Sequence, residues 1–488
     1  MTPTLATRIG QFATTSTFDT LPDEVVDSVR SRVLDVLGIC VAAAPLDTSR
    51  GARRFALDQG GQGMAYAVGL PERLPAPLSA FVNGVLAHSL DYDDTHLPSV
   101  LHPSAAVVPA ALAAAQATGA SGADTIAAIA CGLEVCVRTG MAGYDETAGT
   151  SLFFENGQHA TSICGTLGGA VAAALLYGLD ANGVTHTLGV AASMASGVIE
   201  ANRTGGTVKR LHCGWAASSA VSAAQLVRHG FTGPPTVLEG RFGFYQAWLH
   251  GQFDAGAITD GLGEQWAVPG IFFKPYPANH FTHAGIDAAR SLRDKGLSPY
   301  DVASLRLGVA ASTVRTIGDP IAVKRAPETG YMAQFSGPYT VVAGLLGGGG
   351  LGVGLDDFTD DLARDPRRHE LMALVDVVAD ERCTKIFPHQ FPAVLTARTR
   401  DGHELVEEVL VNRGGPDRPL THEELGTKFT DNAGRLLPLK TVERLRDRIG
   451  RLDKLDDVST LLEPLCDVDP LDPDDPIDHP DERTRAAV

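Results

Sequence analysis

Positive charge is in short supply in this 488-residue chain: 40 Lys and Arg face 58 Asp and Glu, a formal net charge of −18. A general nucleic-acid surface needs a concentrated basic face, so the balance argues against one. An acidic protein that takes an anionic ligand must gather its cations locally, which makes isolated Lys and Arg in apolar surroundings informative. Aromatics are few, at 6%. Long apolar runs are missing as well. The most apolar stretches, such as Ala105 to Ala115, are too short to span a bilayer, so no membrane association is expected. The opening MTPTLATRIGQFATTST has no apolar core of signal-peptide length, and a cytoplasmic location is the expectation. Seven cysteines (Cys40, Cys131, Cys136, Cys164, Cys213, Cys383, Cys466) include no CxxC pair. Their odd number and scatter point to reduced thiols, with no disulfide framework, iron–sulfur cluster or structural zinc.

What is present is a chain long enough for two or three domains, 44% hydrophobic and 20% charged, rich in the Ala and Gly that let helices pack closely. Residues 21–44 carry Val25, Val29, Val33, Val36 and Leu37 at helical spacing, with Asp23 and Glu24 suited to the helix start. Residues 47–77 are Gly- and Pro-marked and read as a loop with short elements. From Leu78 to about Gly230 helix follows helix: Leu78 to Leu90, Ser104 to Gln116, one opening at Ser121 with Asp124 as a capping partner, His159 to Gly178, Ala181 to Val198, and Lys209 to Val227. After Trp266 the character changes. Val302 to Val309, Leu371 to Ala379 and Ala393 to Val411 show strand-like alternation, the last with a hairpin around Asp401-Gly402. The expected fold is mainly α: a large all-helical domain plus a smaller α+β lid domain. The expected boundaries are a helical segment at 1–268, the α+β lid at 269–406, a helical return at 407–466 and a disordered acidic tail at 467–488.

One stretch concentrates chemistry. LAHSLDYDDTHLPSVLHPSA, residues 86–105, puts Asp91, Asp93, Asp94, Thr95, His96 and His102 between two greasy helices, with Pro98 and Pro103 breaking the helical pattern. Charged groups with so little water need partners or a substrate. Four more places qualify. His159 opens a small-residue helix, where the dipole keeps imidazole neutral and available as a base; a capping or core histidine is the plain alternative. Lys209, Arg210 and His212 stand where a Gly-rich loop enters an apolar helix, with the amides of Gly205, Gly206 and Thr207 as added donors. Cations there oppose the dipole unless an anion offsets them; a surface basic turn is the alternative. Lys274, between Phe273 and Pro275, is held in one direction, as suits gripping a carboxylate, or else snorkels. His280 and His283 suggest no third metal ligand, and Gly344 to Gly354 lacks the order of a nucleotide loop.

Four segments, AHSLDYDDTHLPSVLHPSA, GQHATSICGTLGGAVAAALLYGLD, TVKRLHCGWAA and FKPYPANHFTHAGIDA, occur in that order and resemble the MmgE/PrpD family, which includes 2-methylcitrate dehydratase, cis-aconitate decarboxylase and iminodisuccinate epimerase. The resemblance implies the helical domain and α+β lid, a homodimer, and no metal or organic cofactor. Carried over motif by motif, it implies site residues Asp91, Thr95, His102, His159, Lys209 and Lys274. The shared chemical problem is a C–H next to a carboxylate, whose developing charge needs cations already in place. Lys209 and Lys274 are expected as carboxylate clamps, with His212 also on the substrate. His159 and His102 are the expected acid/base pair, Asp91 orients an imidazole, and Thr95 donates to the substrate. The leading expectation is a hydro-lyase like 2-methylcitrate dehydratase, acting on a small di- or tricarboxylate. Decarboxylation, epimerisation and non-catalytic binding of a small acid are the alternatives.

Overall fold

The computed structural model describes residues 2–201 and 206–472. Gly205, expected to lend an amide, and residues 473–488 of the expected tail lie outside the described residues. The fold is mainly α with a smaller α+β part, and the chain divides into two compact units: residues 1–271 with 429–488, and residues 272–428. No helix among the described residues is long and apolar enough to cross a membrane.

The first unit is built from α1 (Leu5–Thr15), α2 (Asp23–Ala43), α3 (Asp47–Gln59), α4 (Ala76–Ala87), α5 (Ser104–Thr118), α6 (Gly122–Met141), α7 (Ala160–Leu176), α8 (Ala181–Ala191) and α9 (Val208–Arg228). Two small antiparallel pairs interrupt them: β1 (Ala65–Ala67) with β2 (Leu70–Leu74), and β3 (Tyr144–Asp145) with β4 (Thr150–Ser151). α4, α5 and α7 are apolar on most faces and bury nearly all of their residues. Glycine sets how closely they approach. A Cβ on Gly84 of α4 would lie 2.7 Å from the Cys213 carbonyl oxygen of α9, and one on Gly214 would lie 2.5 Å from the Phe81 carbonyl oxygen. Gly132 and Gly168 bring α6 and α7 together in the same way.

Two expectations in this unit need correction. Residues 47–59 form one continuous 13-residue helix, α3, where a loop with short elements was expected. Its buried stripe is Ser49, Ala52, Arg53 and Ala56, helical in spacing but with no large apolar side chain to advertise it. The helix expected to reach Val198 stops at Ala191. Residues 197–199 instead run beside 157–159, where the His159 N–H donates to Gly197 O (3.0 Å) and the Ile199 N–H to Gly157 O (3.0 Å).

The second unit carries a four-stranded sheet in the order β6-β5-β7-β8, from β5 (Val302–Val309), β6 (Val375–Ala379), β7 (Ala393–Thr399) and β8 (Glu404–Val409). β5 runs parallel to β6 and antiparallel to β7, in the register Leu307 opposite Leu395, and β7–β8 is the expected hairpin. α10 (His283–Asp294) and α11 (Gly337–Leu346) pack on each other and on this sheet. The strand expected from Leu371 starts at Val375, because Pro366–Met372 is helical.

The return to the first unit comes at 429 and not at 407. Residues 407–418 stay with the sheet through β8, through the Asn412 side chain on the Phe391 backbone (2.6 and 3.1 Å) and through Arg418–Asp287 (2.8 Å). The tail does not start at Asp467 either. Val468 is buried, and Asp469 forms ion pairs with Arg50 (2.8 Å) and the fully buried Arg53 (2.7 Å).

Candidate active site

Four helix ends and one loop of the first unit meet. His88 follows α4 directly, the loop runs from there to Pro103, His159 caps the start of α7, and Lys209 and His212 lie in the first turns of α9. The Gly84–Gly214 crossing lies one turn before His88 and two residues after His212, so the glycine contact sets how near those side chains come. Within the loop, His96 pairs with Leu101 through backbone hydrogen bonds (2.8 and 3.3 Å), and His96 Nδ1 meets Ser99 Oγ at 2.6 Å. Asp91 holds a left-handed backbone (φ 50°), a conformation Asp tolerates better than most residues and one that recurs at functional sites.

All three carboxylates of the loop are buried, and each meets a cation or an imidazole. Asp91 Oδ1 meets Lys209 Nζ at 3.2 Å. The anion that offsets Lys209 at a helix start is therefore, at least in part, the protein's own. Asp93 Oδ2 meets His88 Nδ1 at 2.6 Å. Asp94 meets Arg32 of α2 at 2.7 Å and accepts from the Ser104 hydroxyl and amide at the start of α5. Arg32 also donates to the Val268 (3.2 Å) and Ile271 (2.8 Å) carbonyls. Burial pushes the Asp94 carboxyl up and the Arg32 guanidinium down, and the attraction between them opposes both shifts. With so many hydrogen bonds closing it, this pair is a girder under the loop.

The imidazoles form a row. Ring centres are 5.3 Å apart for His102–His88, 5.5 Å for His88–His159 and 4.8 Å for His159–His212. His102 Nδ1 donates to the Asp94 carbonyl at 2.6 Å, with Thr95 Oγ1 at 3.3 Å, which fixes its tautomer and assigns proton exchange to Nε2. His159 Nδ1 and His212 Nδ1 are 2.8 Å apart, so one donates to the other and both cannot carry a proton there. Burial first, then the potential of His88, His212, Lys209 and His102, hold His159 well below the usual imidazole value. Burial, with His88 and Lys209, lowers His212 to about 4. A neutral imidazole is a base in waiting.

Asp91, Thr95, His102, His159, Lys209 and His212 thus lie together in the first unit. Lys274 belongs to the second unit, where it is buried next to Phe273, whose N–H donates to Gly414 O at 2.9 Å. Sequence reasoning passed over His88, the pairing role of Asp93, and Arg32. The signal for Arg32 was available: it shares a helical face with Val25, Val29 and Val36, where a charge must be paired. An open groove of about 360 Å³ lined by Phe55, Phe81, Leu211, Trp215 and Arg210 lies at the start of α9, and none of the imidazoles lines it.

Two family models match. Residues 7–255 match the MmgE/PrpD N-terminal domain, and residues 276–454 match the MmgE/PrpD C-terminal domain. The chain is 29% identical to a cis-aconitate decarboxylase of Homo sapiens, over 90% of each chain. It is 26% identical to a cis-aconitate decarboxylase of Aspergillus terreus, over 94% of this chain and 96% of the relative. Similarity to a mitochondrial 2-methylcitrate dehydratase of Yarrowia lipolytica is 25% identity over 35% of this chain and 32% of the relative. With both halves matched in order, and with the motif residues of the first half meeting in one cluster, this chain belongs to the MmgE/PrpD family.

Proposed function

We propose that the protein is a cofactor-independent lyase that acts beside a carboxylate of a small tricarboxylic acid, with loss of CO2 from a cis-aconitate-like substrate as its first reaction. The observation that carries the lyase reading is the imidazole row with Lys209 at its edge: a neutral His159, a His102 oriented by its Nδ1 hydrogen bond, and a cation for a substrate carboxylate. The relatives similar over nine-tenths of the chain are decarboxylases, whereas the dehydratase similarity spans about a third. That difference ranks decarboxylation ahead of the dehydration expected from sequence.

In the proposed reaction the C–C bond to the departing carboxylate breaks. Its electron pair moves through the substrate's double bond, and the charge spreads onto a neighbouring carboxylate held by Lys209. His102, protonated on Nε2, returns a proton to carbon, and His159 steers or exchanges protons on the other side of the row. Thr95 orients the substrate by hydrogen bonding. Lys274 keeps its proposed role as a second carboxylate grip, and the homodimer stays part of the proposal.

The test is to incubate the purified protein with cis-aconitate, citrate, methylcitrate and iminodisuccinate. CO2 release, ultraviolet change and deuterium incorporation are then followed. CO2 from cis-aconitate supports the reading. A new double bond from citrate or methylcitrate without CO2 replaces it with dehydration. Thermal stabilisation by an acid with none of the three signals makes the protein a binder.

A further inference from the structure

We propose that the turn at residues 413–418, together with Tyr276 and Asp287, is the positioning device of Lys274: it clamps the strap at residues 272–278 on both sides of that lysine and so sets the direction of its ammonium group, without touching the substrate. The inference rests on the reading of Lys274 as a carboxylate grip.

In the strap, FFKPYPA, Pro275 and Pro277 each fix a φ angle beyond Lys274, which stiffens the chain but does not place it. Placement comes from a tether on either side. Before Lys274, the Phe273 N–H donates to the Gly414 carbonyl (2.9 Å), and the Gly414 N–H donates to the Arg418 carbonyl (2.8 Å), which closes the turn. The approach leaves no room for a side chain. Gly414 has φ 101°, and a Cβ there would lie 2.0 Å from the Phe273 carbonyl oxygen; one on Gly415 would lie 2.0 Å from the Phe272 ring. Past Lys274, Tyr276 is fully buried and its hydroxyl joins three side chains. It donates to Asp287 of α10 (2.5 Å) and accepts from Arg290 (2.7 Å) and Arg413 (3.2 Å). Burial first, then Asp287, push this hydroxyl up, so it remains a donor at neutral pH.

Both tethers lead to the same turn. Arg413, at its start, reaches Tyr276 and is itself held by Glu424 (2.5 Å) and the Leu351 carbonyl (3.3 Å). Arg418, at its end, meets the second oxygen of Asp287 at 2.8 Å. Phe273 and Tyr276 are thereby tied to one piece of backbone, with Lys274 buried between them. All of these residues belong to the second unit. A lysine ammonium rides on a long, flexible stem, and each orientation that binding must deny it weakens the grip. A strap fixed on both sides of the Cα removes part of that cost before the ligand arrives, as a supporting shell does for any binding group. Buried networks of this kind act as a unit, so the loss of one hydroxyl loosens every group it joins.

The experiment is a double-mutant cycle in the full chain between Tyr276→Phe and Lys274→Ala. It is read as KM and kcat on cis-aconitate or, where there is no turnover, as the calorimetric Kd for cis-aconitate and citrate. Y276F should raise KM about fivefold and leave kcat within about twofold, because a misdirected grip loses binding and not chemistry. In the K274A background the same substitution should change KM by less than about twofold, a coupling that general loosening of the fold would not produce. A loss that persists in full without Lys274 makes Tyr276 merely structural and overturns the inference. A wild-type KM in Y276F beside a raised KM in K274A also overturns it, and leaves the grip standing. A wild-type KM in K274A removes the grip and this inference together. Should Y276F fail to fold, Gly414→Ala, which keeps every side chain of the network and displaces only the Phe273 tether, takes its place in the cycle with the same outcomes. cis-Aconitate that binds with the expected coupling yet is released unchanged leaves the positioning role standing and removes the decarboxylase reading. A wild-type chain that binds neither acid overturns both.

Discussion

At the scale of single residues, the site is a set of charges that cannot be left alone. His159 is the clearest case: a neutral imidazole with one nitrogen committed to His212 at 2.8 Å. His159→Ala should lower turnover about 100-fold or more, the usual loss on removing a general base, while the melting temperature changes little. Unchanged turnover would take His159 out of the reaction. Lys209 differs, because it already holds Asp91. Lys209→Ala should raise KM for a tricarboxylate by about tenfold or more, as expected when a charge-assisted contact is lost, and Lys274→Ala should do the same. Substrate saturation curves check both lysines, and wild-type KM values in both variants would end the clamp assignment.

At the scale of elements, small residues decide geometry. Gly84 and Gly214 let α4 and α9 touch backbone to backbone, and any side chain must push them apart. Gly214→Val should destabilise the fold by about 1–3 kcal/mol, the range for overpacking a core, and should also lower activity, because the same crossing spaces His88 from His212. Urea unfolding and turnover read the two effects separately; a variant as stable and active as wild type would show that the crossing has slack. A second element-scale device ties down the chain near residue 469. Arg53 is fully buried and donates to the Gly69, Ala44 and Asp469 carbonyls as well as to the Asp469 carboxylate. Asp469→Ala leaves that guanidinium without its counter-ion and should cost roughly 3 kcal/mol, the low end for breaking a buried pair. Chemical denaturation measures it, and a loss below experimental error would mean the three carbonyls suffice.

At the scale of the whole molecule, the histidines set an acid limit. Burial lowers His96 and His212 to about 4 each and holds His159 well below the usual value near 6.5. The unfolded chain then binds more protons than the native one as pH falls below 6.5. Stability is full above that value and is lost progressively between about pH 6.5 and 4. Melting temperatures across this range should fall on acidification, and a flat profile would mean that these rings are not buried neutral. The two compact units belong to this scale too. Their boundaries at 271 and 429 come from which residues pair with the sheet, and no composition change marks position 407 against 429.

Much was legible in the residues alone. Helical periodicity placed α2, α5 and α9 to within about two residues, because apolar spacing is a local property. The DYDDTH stretch declared itself because three carboxylates between greasy helices have to be explained. α3 stayed hidden, since its buried stripe is Ser, Ala and Arg; so did the anchoring of Asp469, since an acidic, Pro-rich tail looks solvated. His88 stayed hidden because one histidine at a helix end has no local signature. Local spacing and composition determined the helices, the charged loop and the family resemblance. Which carboxylate takes which cation, and which imidazole stays neutral, was decided only when residues 32, 88, 93, 159 and 212 met in three dimensions, because a charge's partner and its burial do not exist until the chain has folded around it.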